Sequence, residues 1–103
     1  MNLINNDEID IFIDLTGYTN NSRAFIAPQL KNTTTINWLG YPGTMGLTQE
    51  KPLYDYILAD DFIIPKNDEK YYAETVLRLP FAYQPNIENR AHLKQKNRKD
   101  YGI

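Results

Sequence analysis

The part of this sequence best suited to chemistry is a loop with three glycines and one proline in residues 38–46, Trp-Leu-Gly-Tyr-Pro-Gly-Thr-Met-Gly. Glycine has no side chain, so a ligand can reach the backbone N–H groups beside these glycines and accept hydrogen bonds from them. Pro42 fixes its own φ, and Gly43 is expected to supply the positive φ of a type II turn over residues 41–44. A tight connection that binds nothing is the alternative, and the pattern alone leaves both open.

Two carboxylates, Asp14 and Asp60, each follow an apolar run and could act as a pair in acid–base chemistry. Aspartate also accepts hydrogen bonds from the backbone of the turn that follows it, and we expect both residues to cap loops. His92, the single histidine, lies in a charged segment and is expected to be exposed rather than catalytic. Because the sequence has no cysteine and only this histidine, we expect no metal centre and identify no catalytic residue.

Strands are needed to position the loop and the carboxylates. Runs rich in β-branched and aromatic residues predict four of them, over residues 9–15, 33–39, 54–60 and 75–80. Short helices are predicted over residues 22–30 and 70–74. Strands that alternate with helices or loops predict an α/β fold with a Rossmann-like parallel sheet. Since Phe12 makes the second face of the first strand partly apolar, we expect a sheet covered on both faces.

Composition and charge narrow the classes of function. The sequence has 103 residues, 42% hydrophobic and 23% charged, which is typical of one small globular domain. Residues 1–87 carry 6 Lys or Arg against 11 Asp or Glu, whereas residues 88–103 carry 5 against 2. The acidic body argues against nucleic acid as a partner, and no apolar run approaches the roughly 20 residues of a membrane span. The absence of cysteine and of a leader sequence favours a cytoplasmic protein.

Three segments together resemble the catalytic region of the O-GlcNAc transferase and SPINDLY-like family, glycosyltransferase family 41. They are residues 14–19, Asp-Leu-Thr-Gly-Tyr-Thr, followed by Arg23; residues 37–46, which contain the glycine loop; and residues 55–60, Asp-Tyr-Ile-Leu-Ala-Asp. Their order and approximate spacing agree with the family. Residues 78–80 and 83–86 are similar to the segment that follows in bacterial members, so the resemblance covers roughly residues 7–103.

The resemblance implies a fold of the GT-B type, in which two Rossmann-like lobes hold a nucleotide sugar and an acceptor between them. We expect residues 1–87 to form part of the first lobe and residues 88–103 to be a basic tail or linker. In the family a helical repeat region usually precedes the catalytic region, and the main nucleotide contacts come from a second lobe of the same chain. The proposed catalytic histidine lies upstream of the Gly-Tyr-Thr segment, so this chain alone is expected to be inactive.

By the same resemblance, a substrate-binding surface lies on two loops. Leu39, Gly40 and Pro42 would border the sugar and acceptor pocket, with Tyr18, Thr19 and Arg23 close by. The full predicted set is Leu39, Gly40, Tyr41, Pro42, Gly43, Thr44, Tyr18, Thr19 and Arg23.

The implied activity is transfer of N-acetylglucosamine from UDP-GlcNAc to Ser or Thr of an acceptor protein, with no cofactor besides the donor substrate. A related transferase with another sugar or acceptor, through O-fucosyl or N-glucosyl transfer, is one alternative, and a non-catalytic binding or scaffold remnant is another. The sequence departs from the family pattern at residues 30–33, where Arg-Pro-Ala-Pro is common, and in the longer stretch over residues 47–54.

Overall fold

A four-stranded parallel sheet forms the body of the chain in the computed structural model, which describes residues 2–85 and 96–102. Strands β1, β2, β5 and β6 form the sheet in that order, and β3 and β4 form a small antiparallel hairpin. The parallel α/β architecture predicted from the sequence is therefore confirmed. The strands, in chain order, are β1 (Ile11–Asp14), β2 (Thr34–Trp38), β3 (Leu47–Thr48), β4 (Lys51–Pro52), β5 (Tyr56–Ala59) and β6 (Thr75–Arg78).

The helices are short, and most are 3₁₀ helices. The helix predicted over residues 22–30 is a 3₁₀ helix that contains Pro28, which lacks the N–H that a continuous α-helix would use there. The helix predicted over residues 70–74 begins earlier and ends at Tyr71, since Tyr72 is extended with φ −97° and ψ 133°. The helices are α1 (Asn2–Asn6) and the 3₁₀ helices Ala24–Gln29, Lys66–Tyr71 and Arg98–Tyr101.

The predicted basic tail over residues 88–103 is described only in its last part. Its residues 88–95, including His92, lie outside the described residues, and Asn97 and Asp100 form a capping box at the helix Arg98–Tyr101. Within the two described ranges, no helix has both the length and the apolar character needed to cross a membrane.

The core lies on one face of the sheet. The parallel register pairs Phe12 with Thr35 and Asn37 with Ile57, so these side chains project from the same face. Against that face pack two buried clusters contributed largely by the connections between strands. The first contains Ala24, Ala27, Met45, Leu53 and Tyr54, and the second contains Ile57, Ala59 and Ile64.

The opposite face is largely exposed at β1 in the described part of the chain, so the expectation of a sheet buried on both faces is wrong for this part. Ile11, Ile13 and Leu15 are 57%, 47% and 56% exposed. The cause is topological. Along the chain, each strand of the sheet is followed by the strand that lies next to it, always in the same direction across the sheet. Because crossovers between parallel strands are right-handed, every connection then lies on the same face.

Candidate functional site

Two loops meet at the carboxyl edge of the sheet, where the sequence predicted a binding surface. The β1 loop comprises residues 15–23, and the glycine loop comprises residues 39–46. The loops touch where each has a glycine: a Cβ at Gly40 would lie 2.3 Å from the carbonyl carbon of Thr16, and one at Gly17 would lie 2.6 Å from Cβ of Tyr41. Gly40 therefore has a packing role, because any side chain there would push the two loops apart.

The glycine loop does not form the predicted type II turn. Leu39 and Gly46 adopt positive φ of 68° and 81°, whereas Gly43 does not adopt a positive φ. Instead of accepting the N–H of Thr44, the carbonyl of Tyr41 accepts a hydrogen bond of 3.0 Å from Nδ2 of Asn37, a buried side chain on β2. The loop is therefore shaped by a contact to the sheet beneath it rather than by a local turn.

Two of the three glycine amides are already used within the chain. The N–H of Gly40 donates to the carbonyl of Trp38 at 2.8 Å, and that of Gly46 donates to Oγ1 of Thr44 at 3.1 Å. At Gly43, the missing side chain leaves room for the ring of Tyr41, whose Cε1 would lie 2.8 Å from an added Cβ. A ligand at this loop would therefore meet Tyr41 and Pro42 before the amides of Gly40 and Gly46.

Two tyrosines connect the loops on their outer side. The rings of Tyr18 and Tyr41 pack edge to face with centroids 5.7 Å apart, and the hydroxyl of Tyr18 donates to the carbonyl of Met45 at 2.5 Å. Both side chains keep substantial exposure, 57% for Tyr18 and 41% for Tyr41. The exposed parts of the two rings are therefore available for contact with a ligand.

Asp14 and Asp60 cap loops, as the sequence predicted. Asp14 accepts the N–H groups of Thr16 and Gly17 at 2.7 and 3.3 Å, and its other oxygen accepts the hydroxyl of Tyr54. Burial, followed by the hydrogen bond to Asp14, raises the pKa of the Tyr54 hydroxyl, so this residue stays protonated as a donor. The pair holds the start of the β1 loop on the core.

Asp60 holds the chain on both sides of β6. It accepts N–H groups from Ile63 and Tyr83 at 2.7 Å each and from Phe62 at 2.9 Å. The hydrogen bonds from Ile63 and then Tyr83 lower the pKa of the Asp60 carboxyl, since they favour its charged form. Its three donors are all backbone amides, which leaves Asp60 a structural cap and not an acid–base group.

Glu74, which sequence reasoning placed in a helix, contacts the glycine loop directly. Its side chain is 3% exposed and accepts hydrogen bonds from the Thr44 hydroxyl and the Met45 N–H, each at 2.6 Å. Nearby, the hydroxyl of Tyr72 donates to the carbonyl of Pro42 at 2.8 Å. No local signal could have indicated Glu74, because its partners lie about 30 residues earlier in the sequence.

The predicted site residues fall into two groups. Tyr18 and residues 39–44 are connected by the contacts between the two loops. Arg23 instead lines an open cavity of about 540 Å³ beside β1, together with Phe12, Leu15, Thr16 and Ile26, and none of residues 39–44 lines this cavity. Thr19 is exposed on the β1 loop, where its N–H donates to the carbonyl of Thr16 at 3.3 Å.

Comparison with known proteins agrees with the resemblance seen in the motifs. The family model of glycosyl transferase family 41 matches residues 1–99. The chain is 33% identical over 98% of its length to the probable UDP-N-acetylglucosamine–peptide N-acetylglucosaminyltransferase SEC of Arabidopsis thaliana. It is 33% identical over 84% of its length to probable transferases of the same description, named SPINDLY, from Petunia hybrida and Solanum lycopersicum.

The matched region is a small part of these relatives. The chain spans 10% of the length of SEC and 9% of the length of the two SPINDLY proteins. Within that region, however, the family model covers nearly the whole chain, including both loops at the carboxyl edge of the sheet. The chain therefore belongs to glycosyltransferase family 41.

Proposed function

We propose that this chain is part of the first lobe of a GT-B glycosyltransferase that transfers N-acetylglucosamine from UDP-GlcNAc to Ser or Thr hydroxyls of proteins. Family membership and the activity for which the relatives are named support a peptide N-acetylglucosaminyltransferase. The observation that carries the proposal is the meeting of the β1 loop and the glycine loop. Their contact at Gly40 and Gly17 fixes two family motifs side by side at the carboxyl edge of a parallel sheet, where ligands bind in open α/β folds.

In the proposed reaction, the acceptor oxygen forms a bond to the anomeric carbon of the sugar while the bond to the UDP oxygen breaks. The proton of the acceptor hydroxyl passes to a base, and UDP leaves with the electron pair of the broken bond. Such a reaction depends on alignment of the two oxygens with the anomeric carbon and on stabilisation of the diphosphate. The partners are the nucleotide sugar, an acceptor protein or peptide, and a second lobe of the same full-length chain.

In this proposal the two loops contribute positioning, not acid–base chemistry. The substrate-facing groups are Tyr18 and Tyr41, whose rings are exposed and fixed edge to face, with Pro42 beside them. Leu39, Gly40, Gly43 and Thr44 shape the main chain beneath them. Thr19 and Arg23 lie on the β1 loop, where Arg23 lines the separate cavity beside β1. The proposal includes no resident cofactor, and it places the enzyme in the cytoplasm.

The test uses the polypeptide encoded by the complete native reading frame that contains this chain. It would be incubated separately with UDP-GlcNAc, UDP-glucose and GDP-fucose, and with a mixture of Ser- and Thr-containing peptides. We expect a peptide to gain the mass of one N-acetylhexosamine when the donor is UDP-GlcNAc, and no peptide to gain mass with the other two donors. Transfer of only glucose or fucose would refute the proposed donor, and a folded protein that transfers none of the three would refute the function. The 103-residue chain serves as the inactive comparison.

A further inference from the structure

We propose that Glu74 is a positioning residue of the transferase site: its buried carboxylate fixes the glycine loop in the shape that receives substrate. The inference rests on the proposed function, because the substrate is the one proposed above. It adds a residue that belongs to none of the family motifs found in the sequence.

The contacts form a compact latch between the segment 72–74 and the glycine loop. One oxygen of Glu74 accepts the hydroxyl of Thr44 and the other accepts the N–H of Met45, both at 2.6 Å. The Thr44 hydroxyl in turn accepts the N–H groups of Gly46 and Ala73 at 3.1 and 3.2 Å. The side chains of Glu74 and Thr44 therefore hold residues 44–46 of the loop against Ala73 of the neighbouring segment.

The chemistry of the latch requires a carboxylate. The Thr44 oxygen already accepts two N–H groups, so its remaining role is to donate its own proton, and the Met45 N–H is also a donor. Glu74 must therefore offer two acceptors, which an ionised carboxylate does. A glutamine of the same shape has one acceptor, and its NH₂ group would face one of the two donors.

In the part of the chain that the structure describes, the Glu74 carboxylate is buried without a cation beside it. Among the described residues, the ion pairs join Arg78 to Asp61 and Glu69, and Glu74 takes part in neither. A buried charge is costly unless hydrogen bonds replace its hydration, and the donors from Thr44 and Met45 do so. Because both donors belong to the glycine loop, the buried charge is stabilised only while the loop keeps this conformation.

Two further hydrogen bonds hold the loop without Glu74. Asn37 donates to the carbonyl of Tyr41, and Tyr18 donates to that of Met45. Loss of the Glu74 latch is therefore expected to loosen the loop without unfolding the sheet. Because the loop would then need to be ordered upon binding, substrate affinity falls in the ground state and the transition state alike. The expected signature is a higher KM with little change in kcat.

The test compares Glu74→Gln with Glu50→Gln in the complete native polypeptide. Both variants remove one negative charge, but Glu50 is exposed at the tip of the β3–β4 hairpin, away from the latch. For E74Q we expect hydrogen exchange of the Met45 amide to accelerate roughly tenfold or more and the KM to rise by a similar factor, because charge-assisted hydrogen bonds are the strong ones. E50Q should match the wild type in both measurements.

The outcomes separate this inference from the proposed function. If the wild type transfers no sugar, the proposed function fails, whereas exchange of the Met45 amide still tests the latch. If E74Q exchanges faster but keeps wild-type KM and kcat, Glu74 is structural and the inference is overturned. If E74Q does not fold, Thr44→Val, which removes the hydroxyl donor, must raise KM in its place. Rapid exchange of the Met45 amide in the wild type would overturn the latch directly.

Discussion

Replacement of Gly40 by alanine is expected to be the most damaging single-methyl change in the glycine loop. An added Cβ would lie 2.3 Å from the carbonyl carbon of Thr16, 2.7 Å from the nitrogen of Gly17 and 2.7 Å from the oxygen of Leu15. All three are backbone atoms, so the β1 loop itself must move. Overpacking typically costs about 1–3 kcal/mol, and we expect the upper end of that range here because the neighbouring atoms are backbone.

The same loop offers two matched controls. At Gly43 the three atoms nearest to an added Cβ all belong to the outer end of the Tyr41 ring rather than to backbone, so only a side chain must shift and G43A should cost about 1 kcal/mol. At Gly46 there is open space, but φ is +81°, and a left-handed conformation costs an alanine about 1–2 kcal/mol. The expected order of destabilisation is therefore G40A, then G46A, then G43A.

The assay is urea unfolding of the 103-residue chain. It is followed by the fluorescence of Trp38, the single tryptophan of this chain, which directly precedes the glycine loop. In thermal unfolding of a domain of this size, the expected loss of unfolding free energy in G40A corresponds to a fall in Tm of about 12 °C or more. A G40A variant within about 1 kcal/mol of G43A would show that the two loops do not touch as described. Loss of activity in a variant with a large side chain at Gly40 would therefore not show that substrate binds there, because the side chain would displace the β1 loop in any case.

Two further predictions concern single hydrogen bonds. Tyr18→Phe removes the donor to the carbonyl of Met45 and keeps the ring against Tyr41, so urea unfolding should show a loss of about 0.5–1.5 kcal/mol; no loss would mean that water replaces this bond. The pKa of Asp60 is lowered in the folded state, so its stabilisation is present above the unfolded pKa and is lost as the pH falls through the folded value. Asp60→Asn should therefore be less stable at neutral pH and lose less stability as the pH falls below the ordinary aspartate pKa of about 4. An acid profile identical to that of the wild type would contradict the cap.

The strands could be predicted from the sequence because their signal is local. Alternating Ile residues in β1 and the Thr-rich run of β2 favour extended backbone wherever the chain is placed. The order of the strands also follows from short right-handed connections. What these rules did not reveal is that the connections all advance in one direction, which leaves Ile11, Ile13 and Leu15 exposed in the described part of the chain.

The details of the glycine loop could not be predicted, since distant residues determine them. A Pro-Gly pair favours a type II turn locally, but Asn37 takes the carbonyl that such a turn would use. Leu39 adopts a left-handed φ, which a bulky residue rarely does, directly before the close approach of Gly40 to Thr16. Glu74 contributes from a segment that no motif marks.

The fixed shape of the glycine loop has an energetic consequence for binding. Ordering the backbone of one residue costs about 1–2 kcal/mol, so ordering residues 39–46 upon binding would cost about 8 kcal/mol or more. That is similar to the whole free energy of micromolar binding, about 8 kcal/mol. A loop that met its substrate while disordered would thus bind it weakly or not at all. The loop is instead ordered during folding, by the hydrogen bonds from Asn37 and Tyr18 and by those that Glu74 accepts. These residues therefore contribute to binding even where their side chains touch no substrate.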